Sequence, residues 1–406
     1  MSKRGLVGMG LALAAVYAVV AIPSGATVKA ACNNSNPIVI GTLYSMTGPA
    51  AGIGKLAQQG ASMGFNDVNA NGGILGRCVK QDLQDDQGSP TAAAQVIRAT
   101  LDQNHAQFVI GPFLSSPTAV VLPVTTQSKI IDINESAFLD SADQNQYPYT
   151  FPTEIHSDLQ AQIFIPFLNA HHWTNVAILA PNNAFGTVFI PTFTGLAKQA
   201  GINVVASQLV VSGTPDVTPQ MTVLRDAHPQ AIIFAVNADP DQIAALHAYL
   251  SLGLQSTPIL GTSALQNTAT TNNFTADQMK NVYAYAYKSF TYTATNPRST
   301  NPLANAFSAK FAKWIHAHGF KESISQSGGA YDSVVLLARA ANGANSLDSD
   351  KIKAYFESHW MNGVRGQYIW TSYQHRGLTL GDFTFVYAKS INKNGFLKRV
   401  PPTGAQ

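Results

Sequence analysis

Charge is the scarcest commodity in this sequence. Of 406 residues only 12% are Asp, Glu, Lys or Arg, against roughly 25% in an average soluble domain. Disorder is nevertheless excluded, because 46% of the chain is apolar and disordered chains combine low hydrophobicity with high net charge. Long apolar runs are also missing, apart from one at the extreme N-terminus, which rules out a polytopic membrane protein. No stretch of clustered Lys or Arg occurs, so nothing gathers phosphate backbones and nucleic acid is not expected as a partner. A chain of this length buries a large core and divides into about two or three domains.

The single apolar run reads as a processing signal. Lys3 and Arg4 precede a continuously apolar Leu6 to Ile22, Pro23-Ser24-Gly25 breaks it, and Val28-Lys29-Ala30 supplies small residues for cleavage. Residues 1–30 are therefore expected to be removed on export. Lys29 occupies the place where a lipid-modified cysteine site wants an aliphatic residue, so Cys32 is not read as an anchor. Removal takes away Lys3, Arg4 and Lys29 and no acid, leaving 22 basic against 22 acidic side chains. No stable membrane insertion is expected of the mature chain, and its expected location is the periplasm.

Cysteine is rare too. Cys32 and Cys78 both belong to the mature chain and meet an oxidising compartment. Each borders a predicted strand, Ile38–Leu43 and Cys78–Asp85. Adjacent parallel strands bring them together, so a structural disulfide is predicted. Metal or catalytic use needs a nearby histidine constellation, which is lacking.

What the sequence does have is a βα alternation. Ile38–Leu43 is followed by a helical pattern near Lys55–Asn71, Phe108–Gly111 by one from about Ser115, Val176–Leu179 by Phe185–Gly201, and Ala231–Val236 by Asp239–Leu252. Near-continuous apolar strands of this kind are buried on both faces, which predicts parallel sheets flanked by helices. Ser89-Pro90, Ser116-Pro117 and Asp239-Pro240 read as a cap followed by a proline opening a helix. Pro123 and Pro166 fall inside helical patterns and are expected to kink or split them. The number of strands suggests two doubly wound lobes, whose ligands bind beyond the carboxyl ends of the strands. The loops of interest are Tyr44–Gly54, Pro112–Ser116, Asn134–Phe138, Pro181–Gly186 and Asn237–Pro240.

Gly48 to Lys55 resembles a phosphate loop only superficially, because five residues separate Gly48 from Gly54 and Leu56 replaces the required hydroxyl. Ser115 and Ser116 lie at a helix N-terminus, where free N–H groups and the macrodipole favour an anion such as a carboxylate. Phe138 and Phe185 stand in loops where rings flank an apolar guest, while Phe113 and Leu114 are read as filling the core edge. His171-His172 and His316-Ala317-His318 lack the acidic or thiol partners of a metal site. Asp82, Asp85 and Asp86 lack the twelve-residue calcium-loop pattern. With no Gly-x-Ser-x-Gly elbow and no nucleophile-base pair, neither enzymatic activity, a metal nor a cofactor is expected.

Taken together, the motifs resemble the branched-chain amino-acid-binding proteins of ABC importers. They are Ile38–Leu43 with Ser45-Met46-Thr47-Gly48-Pro49-Ala50, the turn Asn69-Ala70-Asn71-Gly72-Gly73-Ile74-Leu75-Gly76-Arg77, the run Asp85-Asp86-Gln87-Gly88-Ser89-Pro90, Val109–Pro112 with Ser115-Ser116, and Gly329-Ala330-Tyr331-Asp332. The resemblance implies an α/β fold of two lobes of the type I periplasmic-binding-protein kind. Residues 31–155 with 288–364 form one lobe and 156–287 with 365–406 the other. Crossings fall near Glu154–Ser157, Tyr285–Ser289 and Val364–Gly366. It also implies a small-molecule ligand in the cleft and a membrane permease as partner; a soluble sensor of the same fold is the alternative.

By the same resemblance Ser115 holds a ligand carboxylate, with Leu114 and Tyr44 beside it, and Ser136 and Ala137 join that grip. Phe138 replaces a usual threonine, Phe185 a usual tyrosine, and Ala238, between Asn237 and Asp239, another tyrosine. Ser263, or Thr262 with an alignment gap, occupies the place of an acid that holds the ligand ammonium. A hydroxyl is no substitute for a carboxylate beside a buried ammonium. The expectation is therefore a carboxylate ligand with an apolar or aromatic body and no obligatory α-amino group, ordinary branched-chain amino acids being the alternative.

Overall fold

The structure, a computed structural model, describes residues 31–316 and 322–401. The segment read as an export signal, residues 1–30, and His318 lie outside them. The chain opens as β1 (Asn33–Tyr44), α1 (Ala51–Ala70), β2 (Arg77–Asp85), α2 (Pro90–Asp102), β3 (Phe108–Ile110), α3 (Ser115–Gln127) and β4 (Asp132–Ile133). These strands form a parallel sheet in the order β2-β1-β3-β4. Ile38, Ile40, Phe108 and Ile110 are fully buried, as strands covered on both faces require.

A second sheet follows from α4 (Ser157–Ala170), β5 (Asn175–Pro181), α5 (Ala184–Gln199), β6 (Asn203–Val210), α6 (Thr218–Asp226), β7 (Ala231–Phe234), α7 (Asp239–Ser251), β8 (Ile259–Gly261), a short α8 (Thr268–Thr271) and β9 (Val282–Tyr287). Its parallel order is β9-β8-β7-β5-β6, and strand Phe383–Tyr387 adds antiparallel to β9. Between these, α9 (Pro302–Trp314), α10 (Ser325–Gly343) and α11 (Ser349–Ser358) return to the first sheet, where α10 packs along α1. The fold is thus α/β with two doubly wound, parallel-rich lobes.

Cys32 and Cys78 form a disulfide with Cα atoms 4.9 Å apart. It closes a loop 46 residues long, worth roughly 4 kcal/mol in the chain-entropy model. The double variant Cys32→Ser/Cys78→Ser is expected to lose about 2–4 kcal/mol of stability, measured as a lower denaturant midpoint with a steeper slope, because the released chain exposes more surface on unfolding.

The acidic run after β2 is structural. Asp85 Oδ1 accepts from the backbone N–H groups of Met46 and Gln87 at 2.9 Å, and Asp86 Oδ1 accepts from Ser45 Oγ at 2.6 Å. The Ser-x-Thr-Gly-Pro loop and the Asp-Asp turn therefore hold each other in place.

Helix starts bear out one expected cap and correct two. Ser89 does cap α2, its hydroxyl accepting from Ala92 N at 3.5 Å. In contrast, α3 begins at Ser115 with Leu114 as its extended cap residue, so Ser116 lies inside the first turn. Likewise α7 begins at Asp239 itself, after Ala238. Pro123 and Pro166 split nothing: α3 and α4 run through them, because packing of both helix halves outweighs one lost backbone bond.

Candidate functional site

Loops at the carboxyl ends of both sheets converge on one small cavity of about 40 Å³. From the first lobe come Phe113, Leu114 and Ser115 after β3, and Glu135 and Ala137 after β4. Phe185 follows β5, Asn237 follows β7, Thr262 and Ser263 follow β8, and Tyr285 lies on β9. Glu154, Gln160 and Gln326 complete the wall. A larger groove of about 680 Å³, lined by Asp67, Tyr331, Arg339 and Trp360, lies on the outer faces of α1 and α10. Convergence of strand ends, not size, selects the smaller cavity.

The lobes touch above it. Ser116 Oγ accepts from the N–H of Ala184, the first residue of α5, at 3.4 Å. The Asp239 carboxylate lies directly over Gly52, leaving no room for a Cβ there. These contacts define a closed arrangement.

Ser115 is buried at the first turn of α3, where backbone N–H groups have no partner within the helix and the dipole is positive. Phe185 is buried against Phe189, ring centroids 5.4 Å apart. Its position is fixed by Asn183, whose side chain accepts from the N–H groups of Phe185 and Gly186 at 3.0 and 3.1 Å. Asn237 Oδ1 accepts from Thr262 Oγ1 at 2.8 Å. Ser263 and Tyr285 both line the cavity, so the loop after β8 and the strand β9 shape the far wall together.

Of the residues predicted from sequence, Leu114, Ser115, Ala137, Phe185, Asn237 and Ser263 line the cavity, while Tyr44, Ser136, Phe138, Ala238 and Asp239 do not. Tyr44 is buried behind it, donating from its hydroxyl to Glu135 Oε1 at 3.1 Å. The Ser136 hydroxyl is used within its own loop, accepting from Phe138 N at 3.1 Å. Asp239 accepts from Thr270 Oγ1 at 2.9 Å and is buried at the lobe junction. Phe113, expected at the core edge, faces the cavity instead.

Sequence reasoning missed the charged floor. Arg365 is fully buried and joins the three predicted crossings: Nη1 donates to Thr153 O at 3.2 Å and to Glu154 at 3.4 Å, and its guanidinium stacks 4.5 Å over the Tyr287 ring. Tyr287 donates from its hydroxyl to Glu154 Oε2 at 2.5 Å, and Ser289 Oγ to Arg365 O at 2.6 Å. Asp332 accepts from the N–H groups of Val364 and Arg365 at 2.8 and 3.0 Å. Gly329 makes space for the guanidinium, since a Cβ there overlaps it. Burial pushes the Glu135 carboxyl up to about 7 and Asp332 up to about 6, against opposing pulls that include Arg365. Glu154 is raised by the same cause. The available signal was that Glu135 and Glu154 sit inside segments already singled out, as rare acids in a charge-poor chain. Among the described residues, no cluster of three or more His, Cys, Asp or Glu is arranged to hold a metal, and no helix is long and apolar enough to cross a membrane.

A sequence profile described as periplasmic binding protein matches residues 37–393. This chain belongs to the periplasmic binding protein family. Among its relatives, an amino acid binding protein of Pseudomonas aeruginosa is 25% identical over 82% of this chain and 86% of its own. The Leu/Ile/Val-binding protein BraC3 of Rhizobium johnstonii is 24% identical, over 48% of this chain and about half (54%) of its own length. A Rhodopseudomonas palustris BisB5 solute binding protein of an ABC transporter, solved in complex with 3,4-dihydroxybenzoic acid, superposes with a TM-score of 0.74. It covers 91% of this chain and 99% of that one at 18% identity, which establishes the shared periplasmic-binding-protein fold.

Proposed function

We propose that this protein is the periplasmic solute-binding component of an ABC importer, which closes on a small carboxylate with an apolar or aromatic body and presents it to a membrane permease. The moving parts are residues 31–155 with 288–364 and residues 156–287 with 365–406, hinged at the segments that Arg365 gathers. The observation that carries the reading is a shared cavity. Ser115 and the positive end of α3 approach it from one lobe, Phe185 and Tyr285 from the other. An anion binds favourably at such a helix start, and rings flank an apolar body.

Closure follows from size. A cavity of about 40 Å³ is far below the roughly 300–1,000 Å³ of ordinary ligand pockets, so a guest enters only when the lobes part. It then stabilises a closed form somewhat wider than this one, by contacts that the open form lacks. The resemblance to proteins named for leucine, isoleucine and valine supports amino acids as the alternative ligand class, and the dihydroxybenzoate complex of a fold relative supports aromatic acids. The expectation of an amine-free ligand rested on Ser263, or Thr262, in place of an acid; Glu135 and Glu154 bring carboxylates to the cavity from the other side, so an amine-bearing guest is equally accommodated.

Ser115→Ala tests the anion site. Losing a hydrogen bond to a charged group costs about 1.5–3 kcal/mol, so calorimetry is expected to show roughly ten- to hundredfold weaker binding of carboxylates with an unchanged melting temperature. Equal affinity in the variant contradicts the assignment.

A further inference from the structure

The cavity contains one buried charge that is left half-used. Every N–H of the Arg365 guanidinium already has an acceptor: Nε and Nη2 donate to Ser325 O, Nη1 to Thr153 O and Glu154 Oε2, and Nη2 also to Gln326 Oε1. Glu135 Oε2 stands 3.9 Å from Nη2, within ion-pair range, but has no hydrogen-bond partner. Its other oxygen is taken by Tyr44. Glu154, beside it in the wall, is satisfied by Ile155 N at 3.0 Å and by Tyr287. A fully buried carboxylate oxygen without a donor is expensive, and native structures keep such groups where they serve a purpose.

The local charge points the same way. Glu135 faces Tyr44 from β1, Arg365 from the third crossing, Glu154 from the first and Asp332 from α10. Two carboxylates, Glu135 and Glu154, thus share one guanidinium, and Asp332 adds a third acid close by. A positively charged guest group relieves that imbalance, whereas a second anion worsens it. The adjacent Gln326 Nε2, buried and also without a partner, offers the guest a neutral donor.

We propose that Glu135 Oε2 accepts a protonated nitrogen of the guest, so that this chain selects amine-bearing carboxylates through its first lobe and not through position 263. The proposal rests on the cleft reading above and adds the residue that discriminates. A corollary is proton release. The Glu135 carboxyl, lifted by burial to about 7, is partly protonated at neutral pH; a docking ammonium favours the carboxylate, and the displaced proton passes to solvent.

Calorimetry of the mature protein with matched pairs tests this: L-leucine against 4-methylpentanoate and L-phenylalanine against 3-phenylpropanoate, at pH 7 in two buffers of different protonation enthalpy, for wild type and Glu135→Gln. The expected result is at least tenfold tighter binding of one amine-bearing member over its partner, with fractional proton release. In Glu135→Gln the ratio collapses towards one and the release disappears. Equal or tighter binding of the amine-free acids by wild type overturns the proposal and leaves the cleft reading intact. So does an undiminished ratio in a folded Glu135→Gln. Failure of both members of both pairs to bind overturns the cleft reading and this proposal with it. Should the variant not fold, the wild-type ratio and proton release decide alone.

Discussion

Arg365→Met is expected to destabilise the protein by about 3–5 kcal/mol, the usual consequence of removing one partner from a buried ionic cluster. The methionine fills much of the space but supplies no donor. Ser325 O, Thr153 O and Gln326 Oε1 then lose their partners, and Glu135 and Glu154 lose the cation beside them. The deficit depends on pH in a definite direction. Acids whose folded pKa lies above the unfolded value bind protons in the folded state, so their contribution to stability is greatest at low pH and is lost as pH rises. Glu135 and Asp332 already lie at about 7 and about 6, and removal of the guanidinium raises them further. Denaturant unfolding of the variant should therefore show a smaller deficit at pH 5 than at pH 8. A loss below about 1 kcal/mol, typical of exposed pairs, or a deficit equal at both pH values, contradicts the role given to Arg365.

The second large effect concerns closure. Gly52 lies under the Asp239 carboxylate, which Thr270 Oγ1 holds through its other oxygen, so a branched side chain at that position opposes the approach of the lobes. Gly52→Val is expected to weaken ligand binding about a hundredfold, corresponding to about 2.7 kcal/mol taken from the closed state. Gly52 lies at the surface end of α1 with negative φ, outside the left-handed region, so the substitution tests the approach of the lobes and not backbone strain. The melting temperature of the unliganded protein should stay close to wild type.

Much of the frame was legible in the sequence. Continuous apolar runs such as Ala231–Val236 specify buried parallel strands, and Ser89-Pro90 marks its helix as expected. The Cys32–Cys78 pairing followed from strand adjacency. Legibility failed where a position is decided across the fold. The Asp239-Pro240 pair looks like a cap and a first residue, but the chain enters α7 one residue earlier because the Asp239 side chain is drawn to Thr270. Phe138 looked like a pocket ring from its loop position, yet its N–H is tied back to Ser136 and its ring is not in the cavity wall. The Arg365 cluster was least legible of all, since its partner Thr153 O is 212 residues distant in sequence. No local pattern marks an arginine that joins three crossings.

The central claim is that two lobes close over a guest, and an interlobe distance tests it most directly. Spin labels at Gln59 on α1 and Lys198 on α5, both exposed, report that distance by double electron-electron resonance with L-leucine, L-phenylalanine or 3,4-dihydroxybenzoate added to saturation. The account predicts that at least one of these compounds binds and draws a broad or long distribution onto a single short distance in wild type, and that Gly52→Val stays long. Saturable binding with an unchanged distance distribution in wild type would contradict it.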